Sequence, residues 1–557
     1  MDAAILFEAE AYRLDGPKLM GRQSAGNSFL RAAVNAHAGQ PVWGFSPYSQ
    51  SANLFQKTVS EIDPSGQTRW IGFNQLNLMA DRGVLFRPDA ELEAMAKLRL
   101  RIGAWRYSLC GMTHTMAGKP LIHSFPSYAV IPVAPWDAVI CTSRAARHVV
   151  AQALETQNDY LAWRLGGAAP ASLQLPIIPL GVHVQDFQFS PDDRAAARQT
   201  LEIPQDEVVA LFAGRLSLHA KAHPFQMFAA LQEVCTRTGR RITLVQAGKF
   251  PSPTTQPMFQ QVMTEVCPDV RAVFVDGQDF ARYRMAWAAA DLFISLSDNI
   301  QETFGITPLE AMSAGLPVLA SDWDGYRDTV RDGVDGFLIP TWAPVPGTGE
   351  HIARAFEAGD LNYDYMLFRT CVTVSLEAKM LVDRLTQLVA DEGLRRRMGA
   401  AGRERARTSY DWSVIYRQYQ ALWDELTAIR LGLSDEQKAH WHRAPRNTPG
   451  HDDPFRAFSS FPTAWVQGDM LVRLIPSATL ERYAAVAGSP LFQHWKVEQK
   501  IIVFIFERLS QSPETVAALA AGIGLEVKLM VEVISRMLKM QLVEAVHTPE
   551  LAASARP

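Results

Sequence analysis

The sequence has few of the features that would place it in a specialised class. Its 557 residues include only five cysteines and no CxxC pair, which favours reduced thiols over a disulfide framework or a zinc site. No uninterrupted apolar run approaches the ~20 residues that span a bilayer. The opening MDAAILFEAEAY lacks a basic segment followed by a long apolar one. We therefore expect a cytoplasmic chain without a signal peptide and with at most peripheral membrane contact.

A strong excess of one charge is also missing. The net charge is -4 and the isoelectric point is near 6.4, which gives no general electrostatic reason to expect nucleic-acid binding. The sequence shows neither internal repeats nor a low-complexity tract. Hydrophobic residues make up 48% and charged residues 20%, as in a globular chain with a sizeable core. The length suggests roughly three domains.

Strand-like and helix-like segments alternate over most of the chain, which predicts parallel sheets of the α/β class. Near the start, AAILFEAEA reads as a strand and GRQSAGNSFLRAAVNA (21–36) as a glycine-bearing loop followed by a helix. PWDAVICTSRAARHVVAQAL (135–154) reads as a strand, Ser143 as a helix cap, and then a helix. The rhythm restarts after residue 185 with EVVALFAGRLS, RITLVQAGKF and DLFISLS as further strands. We therefore predict two doubly wound Rossmann-like domains with a cleft between them.

Five divisions of the chain follow from this pattern. The predicted ranges are 1–185 and 186–412 for the two Rossmann-like domains, 413–433 for an amphipathic helix, 434–455 for a linker, and 456–557 for an extra domain. Within the last range, residues 513–546 read as helix, turn, helix and short strand, which is typical of a winged helix. Residues 490–557 carry seven acidic and seven basic side chains, so this module lacks the basic surface of a DNA binder. We predict a docking or dimerisation module.

The stretch SDNIQETFGITPLEAMSAGLPVLASDWDG (297–325) has the pattern of a ligand site. It follows a buried strand and predicts a loop, a helix with Thr307 as its N-cap, a stop at Gly315 and another buried strand. Ligands of open α/β sheets lie beyond the carboxyl ends of the strands, where helix N-termini favour anions. Glu302 and Glu310 lie eight residues apart here, and Gly305 would let a ligand approach the backbone. The alternative for Glu310 is that it only completes a capping box.

Four segments occur in order along the chain: DAVICTSRAARHVV, IIPLGVHVQDF, FAGRLS with a lysine shortly after, and ETFGITPLEAMSAGLPVLASD. With this ordered set, the sequence resembles the GT-B glycosyltransferases of the retaining family 4, also called glycosyltransferase group 1. The last segment carries the family's Glu-x7-Glu motif, and YDWSVIYRQYQALWDEL resembles the helix that crosses back to the first domain. The resemblance covers roughly residues 1 to 430. It implies that the first domain binds the acceptor and that the second binds a nucleotide-sugar donor.

The resemblance also implies roles for individual residues. Glu310 would hold the donor ribose, Glu302 would face the transferred sugar, and Arg215 and Lys221 would neutralise the diphosphate. The remaining implied contacts are the backbone of Thr303, Phe304, Gly305 and Ile306 with the sugar and diphosphate, His114 near the donor sugar, and a loop around Gly26 near the phosphates. The alternatives are a surface arginine or lysine, a loop-ordering carboxylate and a structural histidine.

Two patterns that suggest a metal have simpler explanations. Asp322-Trp323-Asp324 matches the Asp-x-Asp metal motif of other glycosyltransferases, but it follows a different strand, and we predict a solvated turn there. His440, His442 and His451 lie in the predicted linker without cysteine partners or helical spacing, so we expect no metal site.

The function implied by the resemblance is metal-independent, retaining transfer of a sugar from a nucleotide diphosphate to an acceptor hydroxyl. The acceptor could be a glycan, a lipid-linked glycan, a protein or a small molecule, and no cofactor is expected because the nucleotide sugar is a substrate. Two alternatives remain open. One is a different GT-B enzyme, such as a sugar-nucleotide epimerase or a phosphorylase. The other is a non-catalytic regulatory protein that acts through residues 456–557, by binding a protein partner or by self-association.

Overall fold

The computed structural model describes residues 2–13, 21–37, 39–167, 172–446, 453–492 and 497–546. The chain divides into two compact units, one ending at Thr448 and the other beginning at Pro449, and this boundary lies inside the predicted linker 434–455. The first unit contains two six-stranded parallel sheets, and the second contains a small antiparallel sheet with helices. Among the described residues, no helix is long and apolar enough to cross a membrane.

The first sheet contains six parallel strands. They are β1 (Ala4–Leu6), β2 (Val42–Phe45), β3 (Thr68–Ile71), β4 (Val84–Phe86), β5 (Ser108–Met112) and β6 (Ala138–Ile140). The helices that accompany them are α1 (Ala9–Tyr12), α2 (Gly21–Ala36), α3 (Ser51–Ile62), α4 (Asn77–Arg82), α5 (Glu93–Arg99), α6 (Lys119–Ser127) and α7 (Arg144–Leu165). The strand order is β3-β2-β1-β4-β5-β6, which is the Rossmann order.

The second sheet repeats that order. Its strands are β7 (Val208–Ala213), β8 (Ile242–Gly248), β9 (Val270–Asp276), β10 (Leu292–Ser295), β11 (Val318–Ser321) and β12 (Gly336–Ile339), arranged β12-β11-β10-β7-β8-β9. Its helices are α8 (Pro191–Thr200), α9 (Phe225–Thr238), α10 (Thr255–Val266), α11 (Phe280–Ala289), α12 (Thr307–Ala314) and α13 (Tyr326–Thr329). The predicted class, two doubly wound Rossmann-like domains, is confirmed.

Beyond β12, the described part of the first unit continues with a two-stranded ribbon and six α-helices. These elements are β13 (Thr341–Trp342), α14 (Glu350–Ala358), α15 (Tyr363–Cys371), β14 (Ser375–Leu376), α16 (Ala378–Ala390), α17 (Glu392–Arg405), α18 (Trp412–Leu431) and α19 (Asp435–His442). Helix α18 confirms the predicted amphipathic helix at 413–433 to within two residues. Helix α19 shows that the prediction of a linker is wrong for residues 435–442, where Ser434 forms a capping box with Gln437.

Helix α18 returns to the first sheet and packs there through aromatic rings. Phe29 of α2 lies 6.0 Å from the ring of Trp412 and 5.4 Å from that of Tyr419. Phe86 of β4 lies 6.0 Å from Trp423, and both are fully buried. Aromatic pairs at these separations contribute about 0.5–1.5 kcal/mol each beyond burial. This seam holds the end of the second domain against the first.

Two sequence interpretations near the start of the chain need correction. The predicted first strand is shorter, because residues 9–12 form α1. The glycine-bearing loop predicted at the start of residues 21–36 is wrong, because α2 begins at Gly21. Gly26 lies inside that helix, where a Cβ would overlap the carbonyl of Ala11, so a close approach between α1 and α2 explains the glycine.

All five cysteines lie within the described residues, buried and without a disulfide.

The second unit contains α20 (Pro454–Ala457), β15 (Leu471–Leu474), α21 (Leu480–Ala487), α22 (Gln499–Gln511), β16 (Glu514–Thr515), α23 (Val516–Ile523), α24 (Val527–Lys539) and β17 (Val543–Ala545). Helices α23 and α24 with β17 confirm the helix, turn, helix and strand predicted for 513–546. The three strands form an antiparallel sheet in the order β16-β15-β17. The docking or dimerisation role of this unit stays a prediction.

Candidate active site

The candidate site lies at the switch point of the second sheet. Strands β7 and β10 are neighbours, and the helices that follow them cover opposite faces, so a crevice opens beyond their carboxyl ends. The chain leaves β7 through Gly214, whose φ is 143° and which lies against Gly248 so closely that a Cβ on Gly248 would overlap the Gly214 carbonyl. This turn places Arg215 at the crevice, and the loop after β10 places residues 296–306 there as well.

An ion pair joins the two predicted ligand groups across this crevice. The Lys221 Nζ donates to Glu302 Oε2 at 2.7 Å, and 29% and 11% of the two side chains are exposed. Burial alone would raise the pKa of Glu302, but the charge and hydrogen bond of Lys221, with a smaller contribution from Arg215, hold it below its ordinary value. Burial lowers the pKa of Arg215, and the charge of Glu302 opposes that shift. The crevice therefore contains two cations, one of which is paired with the Glu302 carboxylate.

Asn299 fixes the geometry of this pair. The side chain is fully buried, and its Nδ2 donates to the Lys221 carbonyl at 2.6 Å. Its Oδ1 accepts from the backbone N–H groups of Gln301 and Glu302, at 3.0 and 3.3 Å. One amide thus connects the loop that contains Lys221 to the loop of residues 296–306, which contains Glu302 and is called the glutamate loop below. Our sequence reasoning missed Asn299, although an asparagine just after a strand is a known signal for this side-chain turn.

Asp298 makes a second connection between the same loops. Its Oδ2 accepts from the His223 backbone N–H at 3.0 Å, and its Oδ1 has no hydrogen-bond partner. Burial raises the pKa of Asp298 to about 7, although the hydrogen bond from His223 opposes the shift. This burial was not predictable, because Asp298 lies in a polar loop segment.

Glu310 lies in the first turn of α12, as predicted, but the cap differs. The helix begins at Thr307 with Ile306 as N-cap and no side-chain cap hydrogen bond, so the prediction of Thr307 as N-cap is wrong by one residue. Glu310 therefore does not close a capping box with Thr307. Burial raises its pKa to about 7, and the charge of Lys221 only partly offsets this. The helix ends at Gly315 in the left-handed conformation, as predicted.

The loop between the two glutamates is held from both sides. Gly305 has a φ of 75°, and a Cβ there would overlap the ring of Tyr326, which is buried and bonded to Ser295 at 2.7 Å. From the first domain, the Ser143 hydroxyl donates to the Thr303 carbonyl at 2.7 Å. Ser143 also caps α7, as predicted. Phe304 is buried, and Ile306 precedes the helix.

His114 lies across the cleft, in the loop after β5. Its Nε2 contacts the Pro88 carbonyl at 2.8 Å, and because a carbonyl can only accept, Nε2 carries the proton. Burial and the nearby charge of Arg22 lower the pKa of His114 to about 4. The ring is therefore neutral at physiological pH, with Nδ1 left as an acceptor.

A cleft of about 700 Å³ opens between the two Rossmann-like domains. It is lined from the first domain by Glu10, Arg22, Gln23, Asp89, Ala90, Glu91, His114, Thr115, Gly118, Lys119, Pro120 and Leu121, and from the second by Gln301, Phe356, Gly359, Leu361, Asn362 and Tyr363. His114 and Gln301, the neighbour of Glu302, thus line one space.

The structure therefore brings most of the predicted residues together. Arg215, Lys221, Glu302 and Glu310 meet at the switch point, and His114 faces the same cleft. Gly26 is the exception, since it is taken up in helix packing.

The Asp322-Trp323-Asp324 segment is a turn, but it is not simply solvated. Asp322 pairs with Arg327 at 2.8 Å, whereas the Oδ2 of Asp324 is buried without a partner. Burial and the charge of Glu302 raise the pKa of Asp324 to about 8. The Trp323 Nε1 donates to the Asn299 carbonyl at 3.0 Å, so this turn supports the glutamate loop from behind. Of the three linker histidines, His440 and His442 lie in α19, and His451 lies outside the described residues.

Comparison with known proteins agrees with this location. Residues 193–357, which include Arg215 and both glutamates of the Glu-x7-Glu motif, match the family described as glycosyl transferases group 1. The resemblance to that group is thus confirmed over this segment. The finer assignment to family 4 stays a prediction.

Curated relatives include two proteins named D-inositol 3-phosphate glycosyltransferase. The one from Saccharomonospora viridis is 32% identical over 238 residues, which are 40% of this chain and 54% of the relative. The one from Nocardia farcinica is 31% identical over 168 residues, or 30% of this chain and 36% of the relative. The chain thus spans about half or less of these two relatives. A solved structure of Anabaena HepE in complex with UDP and glucose aligns with 76% of this chain and 99% of its own, at 18% identity and a TM-score of 0.49.

Proposed function

We propose that this chain, whose residues 193–357 match the group 1 glycosyl transferases, transfers a sugar from a nucleotide diphosphate to an acceptor hydroxyl. The observation that carries the proposal is the arrangement at the switch point, where Arg215 and the Lys221–Glu302 pair meet the first turn of α12. Two cations and a helix N-terminus suit a diphosphate, whose negative charge grows as the sugar departs. These cations would supply the neutralisation that a metal ion provides in other sites.

The other residues take roles that fit their surroundings. Glu302, held ionised by Lys221, would accept hydrogen bonds from hydroxyls of the transferred sugar. Glu310 would bind the ribose diol, and the neutral His114 would present Nδ1 to the sugar from the first domain. The Ser143–Thr303 hydrogen bond joins the first domain to the loop that carries Glu302, which supports a role for domain closure over the donor. We propose retention of configuration by front-face attack, in which the leaving phosphate helps to deprotonate the acceptor and no protein nucleophile is used.

Nucleotide binding tests this proposal directly. Thermal stability would be measured with UDP, GDP, ADP and TDP, each with and without magnesium. A ligand at 100 times its dissociation constant stabilises a protein by about 2.7 kcal/mol, which is readily detected. We expect stabilisation by one base, independent of magnesium. Folded protein that is stabilised by none of the four would contradict the donor site, and isomerised nucleotide sugar without acceptor would identify an epimerase instead.

Removing the Glu310 carboxylate should weaken nucleotide binding. In Glu310→Ala we expect the affinity to fall about 10- to 100-fold, because hydrogen bonds to a charged group contribute about 1.5–3 kcal/mol. The matched control is Glu392→Ala, which removes another first-turn glutamate, 63% exposed and far from the motif in sequence. That variant should bind nucleotide like the wild type. Unchanged binding by Glu310→Ala would refute the ribose assignment.

The raised pKa of Glu310 predicts a pH dependence of binding. With a pKa of about 7, the carboxyl is ionised above that pH and protonated below it. We expect the affinity for a nucleotide sugar to be constant above about pH 8 and to fall up to about tenfold per unit below pH 7. A nucleotide sugar is the suitable probe, since it lacks the terminal phosphate ionisation near pH 6. Because Asp298 and Asp324 titrate in the same range, Glu310→Gln is the control, and its pH profile should be flatter.

A further inference from the structure

The cleft is also lined by a helical hairpin that contains none of the proposed donor-binding residues. Helices α14 and α15, residues 350–371, form a small apolar core from Phe356, Met366 and Leu367. Ala117 of the first domain packs against this core, and the Lys119 Nζ lies 5.0 Å from the centre of the Phe356 ring. The hairpin thus joins the second domain to the loop that follows His114, and it forms one wall of the cleft.

Two side chains on the second-domain wall have buried oxygens without hydrogen-bond partners. Gln301, which is only 8% exposed, has an unpartnered Oε1, and Tyr363 at the start of α15 has an unpartnered hydroxyl. Both line the cleft. A buried polar atom without a partner costs about 1–3 kcal/mol, so two of them in one cleft point to a ligand that completes their hydrogen bonds. An amide oxygen accepts and a phenol both donates and accepts, which suits hydroxyl groups.

The opposite wall carries carboxylates and cations together. Among the described residues, Glu10, Asp89 and Glu91 line the cleft from the first domain, against Arg22 and Lys119. The Arg22 guanidinium already contacts Asp89 at 3.2 Å and Glu8 at 3.8 Å. Arg87 also pairs with Asp89 and lies 3.9 Å from Glu91, so both arginines of this wall are already engaged by its carboxylates. The wall therefore offers an anionic acceptor no excess of positive charge, and like charges in a partly buried site are unfavourable. A hydroxyl-rich acceptor would instead donate to these carboxylates.

We infer that the acceptor is an uncharged, hydroxyl-rich ring, such as a sugar or a cyclitol, held between the carboxylates of the first domain and the pair Gln301–Tyr363. The apolar face of such a ring would lie against Phe356 and Leu361 of the hairpin wall. This inference rests on the proposed glycosyl transfer and adds the class of acceptor. It makes the hairpin a specificity element, with Tyr363 as its polar contact.

Matched pairs of acceptors test the charge preference. The full chain would be assayed with UDP-glucose, UDP-N-acetylglucosamine and GDP-mannose as donors. The acceptor pairs are myo-inositol against inositol 3-phosphate, and methyl glucoside against its 6-phosphate. We expect kcat/KM to be at least about tenfold higher for the neutral member of a pair. Preference for the phosphorylated members overturns the inference, and so does nucleotide binding without transfer to any neutral acceptor. Loss of nucleotide binding as well would instead overturn the proposed function.

The role of Tyr363 has its own test. Tyr363→Phe keeps the ring and removes the hydroxyl, so the KM for the neutral acceptor should rise about 3- to 10-fold while nucleotide stabilisation is unchanged. The control is Tyr365→Phe, which lies two residues along the same helix and is 62% exposed. This variant should leave both the acceptor KM and the stabilisation by nucleotide unchanged. An unchanged acceptor KM in Tyr363→Phe, or an equal rise in both variants, contradicts a direct contact.

Discussion

Replacing Lys221 with methionine should both slow transfer by about two to three orders of magnitude and destabilise the first unit. The lysine is the ion-pair partner of Glu302 at 2.7 Å, and without it burial acts on a carboxylate that retains only Arg215 and a backbone hydrogen bond. Breaking a fully buried pair costs about 3–5 kcal/mol, and since 29% of Lys221 is exposed we expect about 2–3 kcal/mol. The loss of a cation at the leaving diphosphate should lower kcat/KM about 10²- to 10³-fold. Thermal unfolding and a transfer assay measure the two effects.

A double variant separates the effect of Lys221 on stability from its effect on catalysis. In Lys221→Met combined with Glu302→Gln, no charge is left buried without a partner, so most of the lost stability should return. Activity should not return, because both ligand groups are gone. Lys379→Met is the control, since its pair with Asp383 at 2.6 Å is exposed and should contribute nothing measurable. Recovery of activity in the double variant would show that Lys221 acts only by neutralising Glu302.

The sheet elements were predictable because their sequence signals are local. Strands β10 and β11 are short apolar runs, and α12 combines a proline near its start with a glycine at its end. Those signals, with the ordered family segments, placed Arg215, Lys221 and the two glutamates at one edge. The predicted N-cap of α12 was wrong by one residue, because Thr307 and Ile306 are adjacent and the local pattern does not distinguish them.

The contacts that shape the site could not be predicted, because they join residues far apart in sequence. Ser143 meets Thr303, and Asn299 meets the Lys221 carbonyl, only after both sheets are assembled. Gly26 illustrates the opposite error. A glycine near the start of a Rossmann-like domain suggests a phosphate loop, but here it permits the contact with Ala11. The hairpin at 350–371 was also not predicted, because its small core is completed by Ala117, which is distant in sequence and belongs to the other domain.

Gly305→Ala should remove nucleotide binding, and Gly333→Ala should not. The two glycines have nearly the same backbone conformation, with φ of 75° and 73°, so an alanine at either position carries a similar left-handed strain of about 1–2 kcal/mol. They differ in their surroundings. A Cβ on Gly305 would overlap the Tyr326 ring, whereas a Cβ on Gly333 meets nothing within 4 Å.

Tyr326 cannot move aside at low cost, because it is 2% exposed and its hydroxyl is bonded to Ser295. The loop must therefore shift instead, and with it the backbone between Glu302 and Glu310. We expect Gly305→Ala to lose nucleotide-dependent stabilisation and more than the strain energy in unfolding free energy, while Gly333→Ala loses only the strain. Nucleotide binding that survives equally in both variants would mean that the loop backbone does not contact the donor, and the glutamate side chains alone would then have to account for recognition.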